Sequence, residues 1–153
     1  MKDMEIERKF LLKQVPANLE QYPHSKIEQG YLCTNPVVRI RRQDSEYFLT
    51  YKGGGMMARM EYNLPLTLES YLHLKEKTDG ILITKTRYRL PYQDKHTIEL
   101  DVFEGSLAPL LLAEVEFESE EEANAFTPPQ WFGEDVTYSS KYHNSVMSAT
   151  VLA

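Results

Sequence analysis

Met4-Glu5-Ile6-Glu7-Arg8-Lys9-Phe10-Leu11-Leu12 is the stretch on which the reading of this chain turns. Taken with period two, Glu5, Glu7 and Lys9 fall on one face, and Ile6, Arg8 and Phe10 on the other. That is the pattern of a strand between two environments. For one strand, a charged face is ordinarily a wet face. The same charged parity recurs along the chain. Val37–Gln43 puts Arg39 and Arg41 opposite Val38 and Ile40. Glu46–Lys52 puts Phe48, Thr50 and Lys52 opposite Leu49 and Tyr51. Met57–Leu64 aligns Arg59, Glu61 and Asn63. Ile81–Leu90 aligns Lys85, Arg87 and Arg89. Thr97–Phe103 carries Glu99 and Asp101 against Ile98, Leu100 and Val102. Leu111–Glu118 carries Glu114, Glu116 and Glu118 against Val115 and Phe117.

Between these strands the punctuation is that of hairpins. Pro16 and Pro23 make 13–25 a connection, and 26–34 reads as extended, with Tyr31 and Cys33 on one parity. Asn35-Pro36, Asp44-Ser45 and Gly53-Gly54-Gly55 are turns. The glycine run lacks the Gly-Lys-Ser/Thr and helix of a phosphate loop. Thr67 caps a predicted helix to about Lys77, with Glu69 in its first turn. Its stripe of Leu68, Tyr71, Leu72 and Lys75 should lie on the sheet. Asp79-Gly80 ends that segment, and Pro91 to Lys95 forms a hairpin loop. Ser119 with Glu122 starts a short helix, which Pro128-Pro129 stops. A short strand is expected at 136–138, and a C-terminal helix capped by Ser140 and carrying Tyr142, Val146 and Met147. Seven or eight strands with few helices make a mainly β, α+β fold: an antiparallel sheet or barrel.

At 153 residues, with 42% hydrophobic and 26% charged residues, the chain fits a single globular domain spanning 1–153. The net charge of −6 argues against a general nucleic-acid surface. No apolar run approaches a membrane span, and the start lacks the pattern of an export signal. The lone Cys33, expected half-buried in a strand, fits a reducing cytoplasm. His24, His73, His96 and His143 show no ligand spacing.

Closing the sheet turns the charged parity inward. Interior charge is costly unless paired or liganded. Cations alone would suit a bare polyanion, and carboxylates alone a metal ion. The mixture suits a phosphate chain with a hard divalent cation, Mg²⁺ or Mn²⁺: Arg and Lys take phosphate oxygens, while carboxylates reach them through the ion. The absence of Cys/His clusters argues against zinc.

The opening Glu5-Ile6-Glu7-Arg8-Lys9 resembles the Glu-x-Glu-x-Lys motif of the CYTH superfamily, the triphosphate tunnel metalloenzymes. Gln29-Gly30-Tyr31-Leu32, Val38-Arg39-Ile40-Arg41, Leu49-Thr50-Tyr51-Lys52, Arg59-Met60-Glu61, Thr84-Lys85-Thr86-Arg87-Tyr88, Ile98-Glu99-Leu100-Asp101-Val102-Phe103, Leu112-Ala113-Glu114-Val115-Glu116-Phe117 and Tyr142-His143-Asn144 follow in order. The resemblance spans nearly the whole chain. It implies a closed eight-stranded antiparallel barrel, a tunnel with a few flanking helices, that binds triphosphate with divalent metal. It also implies roles. Lys9, Arg39, Arg41, Lys52, Arg59, Lys85 and Arg87 bind phosphate oxygens, with Lys141 near one tunnel mouth. Glu114 and Glu116 hold one metal. Glu5, Glu7 and Glu61 hold a second that activates water, and with Lys9 they form the catalytic set. Glu99 and Asp101 are counted with the metal ligands. The departures are Asn63, where many relatives carry a further carboxylate; Glu134-Asp135-Val136-Thr137, where Glu-Val-Thr is usual; and His143.

The implied activity is hydrolysis of a triphosphate, foremost inorganic tripolyphosphate. The scaffold also allows a class IV-type adenylate cyclase, which needs an adenine pocket. A thiamine triphosphatase would need stacking aromatics at a mouth, for which Tyr22, Tyr31, Tyr138 and Trp131 are available. A polyphosphate-binding module would gain little from carboxylates. A small-molecule partner is expected, without nucleic acid or membrane. A homodimer is compatible with the resemblance, and no stretch demands one.

Overall fold

The computed structural model describes residues 4–149. The strands are β1 (Met4–Leu12), β2 (His24–Thr34), β3 (Val37–Gln43), β4 (Glu46–Lys52), β5 (Ala58–Pro65), β6 (Asp79–Tyr92), β7 (His96–Phe103), β8 (Leu111–Phe117) and β9 (Phe132–Asp135). The helices are α1 (Leu68–Lys75), α2 (Glu120–Ala125) and α3 (Asn144–Met147). Every pairing is antiparallel, in the order β5-β4-β3-β2-β6-β7-β8-β1-β9. The sheet closes because β5 also pairs with β1, through Glu5 opposite Arg59. Eight strands thus form a barrel, and β9 extends it along the part of β1 that β5 leaves free. Closure removes the exposed edges that an open sheet of this size would present.

The turns work as their residues require. Asp44, Gln93 and Asp94 carry the positive φ of tight hairpins, a conformation Asp and Asn-like side chains tolerate. Gly55 has φ 112°, and a Cβ there would come within 2.5 Å of Ala58 O. The glycine run between β4 and β5 therefore has one position that only glycine fills comfortably.

The outer face of β1, β7 and β8 holds the larger apolar cluster. Phe10, Ile98, Leu100, Val115 and Phe117 pack there against Ala123 of α2 and against Phe126 and Phe132. Arg8, on the outward parity, fastens this layer: its guanidinium donates to Ala123 O, Phe126 O and Asp135.

Inside the barrel the inward parity changes character along the strands. On β1 it runs Glu5, Glu7, Lys9 and then Leu11; on β6, Arg89, Arg87, Lys85 and then Ile83; on β7, Glu99, Asp101 and then Phe103; on β8, Glu116, Glu114 and then Leu112. Ile83, Phe103 and Leu112 are buried with Val136 and with Met147 of α3, and Leu11 packs against them. At that end these four strands face a packed apolar plug. The charges begin one pleat further along.

Some expectations need correction. The short strand lies at Phe132–Asp135 rather than 136–138, because β9 takes the free edge of β1. Ser140 begins a 3₁₀ turn, and the C-terminal helix starts at Asn144. Asp79-Gly80 opens β6, and Pro91 lies within it. On α1 only Tyr71 is buried, while Leu68 and Leu72 are each 50% exposed. One ring anchors that helix rather than a stripe. Cys33 is exposed near the end of β2. Among the described residues no helix is long and apolar enough to cross a membrane.

Candidate active site

The charged parities converge on one cavity of about 390 Å³ inside the barrel. Glu5, Glu7 and Lys9 reach it from β1, Arg39 and Arg41 from β3, and Lys52 from β4. Arg59 and Glu61 come from β5, Lys85 and Arg87 from β6, Glu99 from β7, and Glu114 and Glu116 from β8. Of the residues singled out in the sequence, two are placed elsewhere. Asp101 is fully buried behind Lys85 and Arg87. Lys141 is exposed, its ammonium 5.3 Å from the centre of the Tyr142 ring. Of the four aromatics considered for stacking, Tyr31 lines the cavity. Tyr22 and Trp131 pack on the outer core, and Tyr138 is 66% exposed.

Burial of so many charges is possible because most are paired. Lys52 Nζ lies 2.7 Å from Glu5 and 3.5 Å from Glu61. Lys85 Nζ donates to Asp101 at 2.6 Å. Arg87 donates to both Asp101 oxygens, at 2.7 and 2.9 Å, and reaches Glu114 at 3.2 Å. Lys9 Nζ is held by a main-chain oxygen, that of Tyr142, at 3.1 Å. Arg39 and Arg41 differ from these. Arg41 leans on the neutral amide of Gln29, and Arg39 donates to Thr50 at 3.2 Å. Arg39 Nε is buried without a hydrogen-bond partner among the described residues. An orphaned guanidinium N–H in a cavity wall is a ready donor for an anionic oxygen.

The carboxylates form two coupled sets. Burial works to raise the Glu5 carboxyl, but Lys52 and hydrogen bonds from Glu61 and Lys52 outweigh it and hold it at about 2. Burial and the hydrogen bond to Glu5 raise Glu61. Likewise burial, together with Glu114 and Glu5, raises Glu7 well above the carboxylate range. Glu114 stays well below that range despite its burial, through Lys9, Arg87, Lys85 and a hydrogen bond from Glu7. In each pair the proton affinities of the two carboxyls are driven apart. On the cationic side, burial, opposed by Asp101 and helped by Arg87 and Arg41, pushes Lys85 down to about 7. Burial, then Arg39 and Arg87, bring Arg41 down to about 9.

Among the described residues, no three acidic or imidazole groups already converge as a closed metal-ligand set. The donor set nevertheless suits a hard divalent cation. The donors are all carboxylate oxygens. Burial first, and then the neighbouring carboxylates, raise the proton affinities of Glu7 and Glu61, and a divalent ion would offset that crowding as a proton does, at higher charge.

Comparison with known proteins adds the family. The CYTH domain matches residues 3–145. The chain belongs to the CYTH domain family. It is 42% identical over 151 residues to a curated inorganic triphosphatase of Nitrosomonas europaea, covering 96% of this chain and 98% of that protein. It is 30% identical over 145 residues to an inorganic triphosphatase of Acetivibrio thermocellus, covering 92% and 90% respectively. A crystal structure of an inorganic triphosphatase superposes with a TM-score of 0.73 at 39% identity, over 97% of each chain. A putative adenylate cyclase from Bacillus halodurans shares the fold, with a TM-score of 0.58 at 18% identity over 80% of this chain and 84% of that one.

Within this CYTH barrel several residues escaped the sequence reading of the site. His143, Asn144 and Ser145 enter the cavity from the C-terminal segment. Asn144 Oδ1 accepts from Lys85 and from Gln29. Asn63, named above as a departure from the family pattern, donates to Glu61 and accepts from Thr50, and so supports a carboxylate. Asn144 and His143 had a signal in the sequence, as part of the Tyr-His-Asn match, and Asn63 had one through its alignment with Arg59 and Glu61. Gln29 had one too, but with no charge to mark it.

Proposed function

We propose that the chain is a metal-dependent hydrolase that cleaves the terminal phosphoanhydride of a triphosphate, foremost inorganic tripolyphosphate. The observation that carries this is the cavity wall. Arg39, Arg41, Lys52, Lys85 and Arg87 face one volume of about 390 Å³ together with Glu5, Glu7, Glu61, Glu114 and Glu116. The two full-length relatives, both inorganic triphosphatases, support the same substrate class.

The cations hold the phosphate oxygens, with Lys9 and Arg59 at the carboxylate side of the cavity. Their positions are set by strand register and by the partners above, so the cost of ordering them is met in folding and not at each turnover. Glu114 and Glu116 would hold one divalent cation, and Glu5, Glu7 and Glu61 a second, with Glu99 beside them. Mg²⁺ or Mn²⁺ bound there supplies charge neutralisation of phosphate oxygens and acidification of water. In the reaction a water oxygen bonds to the terminal phosphorus and the bridging P–O bond breaks. Orthophosphate and pyrophosphate leave. Asp101 serves in this scheme as the counter-charge that fixes Lys85 and Arg87, which refines its expected role as a ligand. Every group comes from one chain, so a homodimer is not needed for the chemistry. The lone thiol of Cys33 supports a cytoplasmic enzyme.

The wall offers little to a nucleobase or to thiamine: among the described residues its apolar and aromatic members are Tyr31, Val37, Phe48 and the His143 ring. The test is a substrate panel with Mg²⁺ and Mn²⁺. Orthophosphate release should be fastest from tripolyphosphate. Cyclic AMP formed from ATP, or inactivity with every triphosphate, would reject the proposal.

A further inference from the structure

Gln29 is fully buried in β2, and each half of its amide is committed. Oε1 accepts two bonds from Arg41, from Nε at 2.9 Å and from Nη2 at 2.6 Å. Nε2 donates to Tyr31 Oη at 3.1 Å and to Asn144 Oδ1 at 3.3 Å. Asn144 Oδ1 in turn accepts from Lys85 Nζ at 3.1 Å. One neutral side chain therefore connects two cations of the cavity and ties the C-terminal segment to them.

The contrast with Arg87 gives this a chemical meaning. Arg87 has the same two-pronged grip on its partner, but the partner is the Asp101 carboxylate, which neutralises it. A carboxylate at position 29 would fit the same space and accept the same two bonds. It would also spend the charge of Arg41 internally, and it could not donate to Asn144. With the amide, Arg41 is held by a fixed acceptor and keeps its whole charge. Burial, and then the positive field of Arg39 and Arg87, lower the proton affinity of Arg41. A guanidinium in that state gains most from an arriving anion.

We propose that Gln29 is a positioning residue for triphosphate, a neutral clamp that orients Arg41, and Lys85 through Asn144, without cancelling the charge that captures a phosphate group. This rests on the triphosphatase reading and goes beyond it in naming a residue that touches no substrate yet sets affinity.

The test is Gln29→Glu beside Gln29→Met, with KM and kcat for tripolyphosphate and equilibrium binding of tripolyphosphate by calorimetry in EDTA. Loss of one charge-assisted phosphate contact raises KM about tenfold to a hundredfold in Gln29→Glu. A purely structural role would lower the folded fraction, and so the apparent kcat, while leaving KM unchanged. Gln29→Met keeps the volume but frees Arg41, so KM rises and kcat falls together. Should neither variant accumulate as folded protein, Asn144→Leu cuts the same network at the cavity wall, and a rise of about threefold or more in KM is expected. Unchanged KM and affinity in the folded variants overturn the inference while wild-type turnover stands. A wild-type chain that neither binds nor cleaves tripolyphosphate overturns the functional reading, and this inference with it.

Discussion

Asp101→Asn is the substitution whose consequence the structure determines most closely. The carboxylate has no exposed surface, nor has Lys85 beside it. It accepts three charge-assisted bonds, one from Lys85 and two from Arg87. Removing one partner of a buried pair typically costs about 3–5 kcal/mol. Two cations lean on Asp101, but the costs do not double, since Arg87 keeps Glu114 and Glu99, and Lys85 keeps Asn144. A 153-residue chain loses about 3 °C in Tm per kcal/mol, so the expected fall is about 9–15 °C.

The loss should depend on pH. Burial already pushes Lys85 down to about 7 in the folded chain, against about 10.4 for an ordinary lysine. A lysine so depressed holds fewer protons folded than unfolded across that interval, so stability rises with pH through it and is flat below the folded value. Without Asp101 the folded value drops further. Well above its folded value Lys85 adds little difference between the two folded proteins. Below it only the variant pays for discharging or burying an unpaired ammonium. The gap between Asp101→Asn and wild type should therefore widen from pH 8 to pH 6. Saturating tripolyphosphate in EDTA should narrow it, because a bound polyanion replaces the missing counter-charge. Urea unfolding at the two pH values, with and without ligand, checks all of this. A loss under about 1 kcal/mol at pH 6, or a gap that ligand leaves unchanged, would refute the role given to Asp101.

Tyr71→Ala should cost about 3–5 kcal/mol in urea unfolding, because Tyr71 is the one buried side chain of α1, while KM of the folded protein stays at its wild-type value. Glu7→Gln should abolish metal-dependent turnover but leave tripolyphosphate binding in EDTA within about twofold, as a carboxylate adds nothing to a bare polyanion. In the wild type, Glu7 must surrender its raised proton before it can hold a cation. The Mg²⁺ concentration for half-maximal rate should thus climb by up to about tenfold per unit as pH falls below the Glu7 value, and a flat requirement between pH 8 and 5 would remove Glu7 from the ligand set.

The barrel was legible because its strands alternate cleanly and its turns carry the residues that positive φ or chain reversal requires. The site was legible for a related reason: period two assigns each charge to a face, and closure brings those faces together. Parity does not assign depth. Asp101 and Glu99 share a face, yet Asp101 lies beneath Arg87 while Glu99 lines the cavity. Nor does parity reveal where charge gives way to an apolar plug, although Leu11, Ile83, Phe103 and Leu112 each stand two residues beyond a charged neighbour. β9 was misplaced because its pairing depends on where β5 leaves β1, a tertiary fact. Lys141 was overvalued because the segment contributes a main-chain oxygen of Tyr142 to Lys9, and a sequence displays side chains only. Gln29 stands in the Gln29-Gly30-Tyr31-Leu32 match, but with no charge nothing marked it for the site.

The mixture of charges in the cavity serves folding and binding by the same pairs. Lys52, Lys85 and Arg87 facing one another alone would repel, and Glu5, Asp101 and Glu114 make their burial tolerable. When phosphate oxygens take over those cations, the carboxylates of Glu5 and Glu114 lose the positive charge that holds their proton affinity down. They would then need another cation, and a divalent ion held by these carboxylates would supply it. Affinity for polyanion and for metal should therefore be positively coupled by linkage, each strengthening the other. Asp101 sits outside this exchange, buried away from the cavity with its cations held on the far side. It keeps Lys85 and Arg87 in place while their free edges change partners, which a carboxylate lining the cavity would not do.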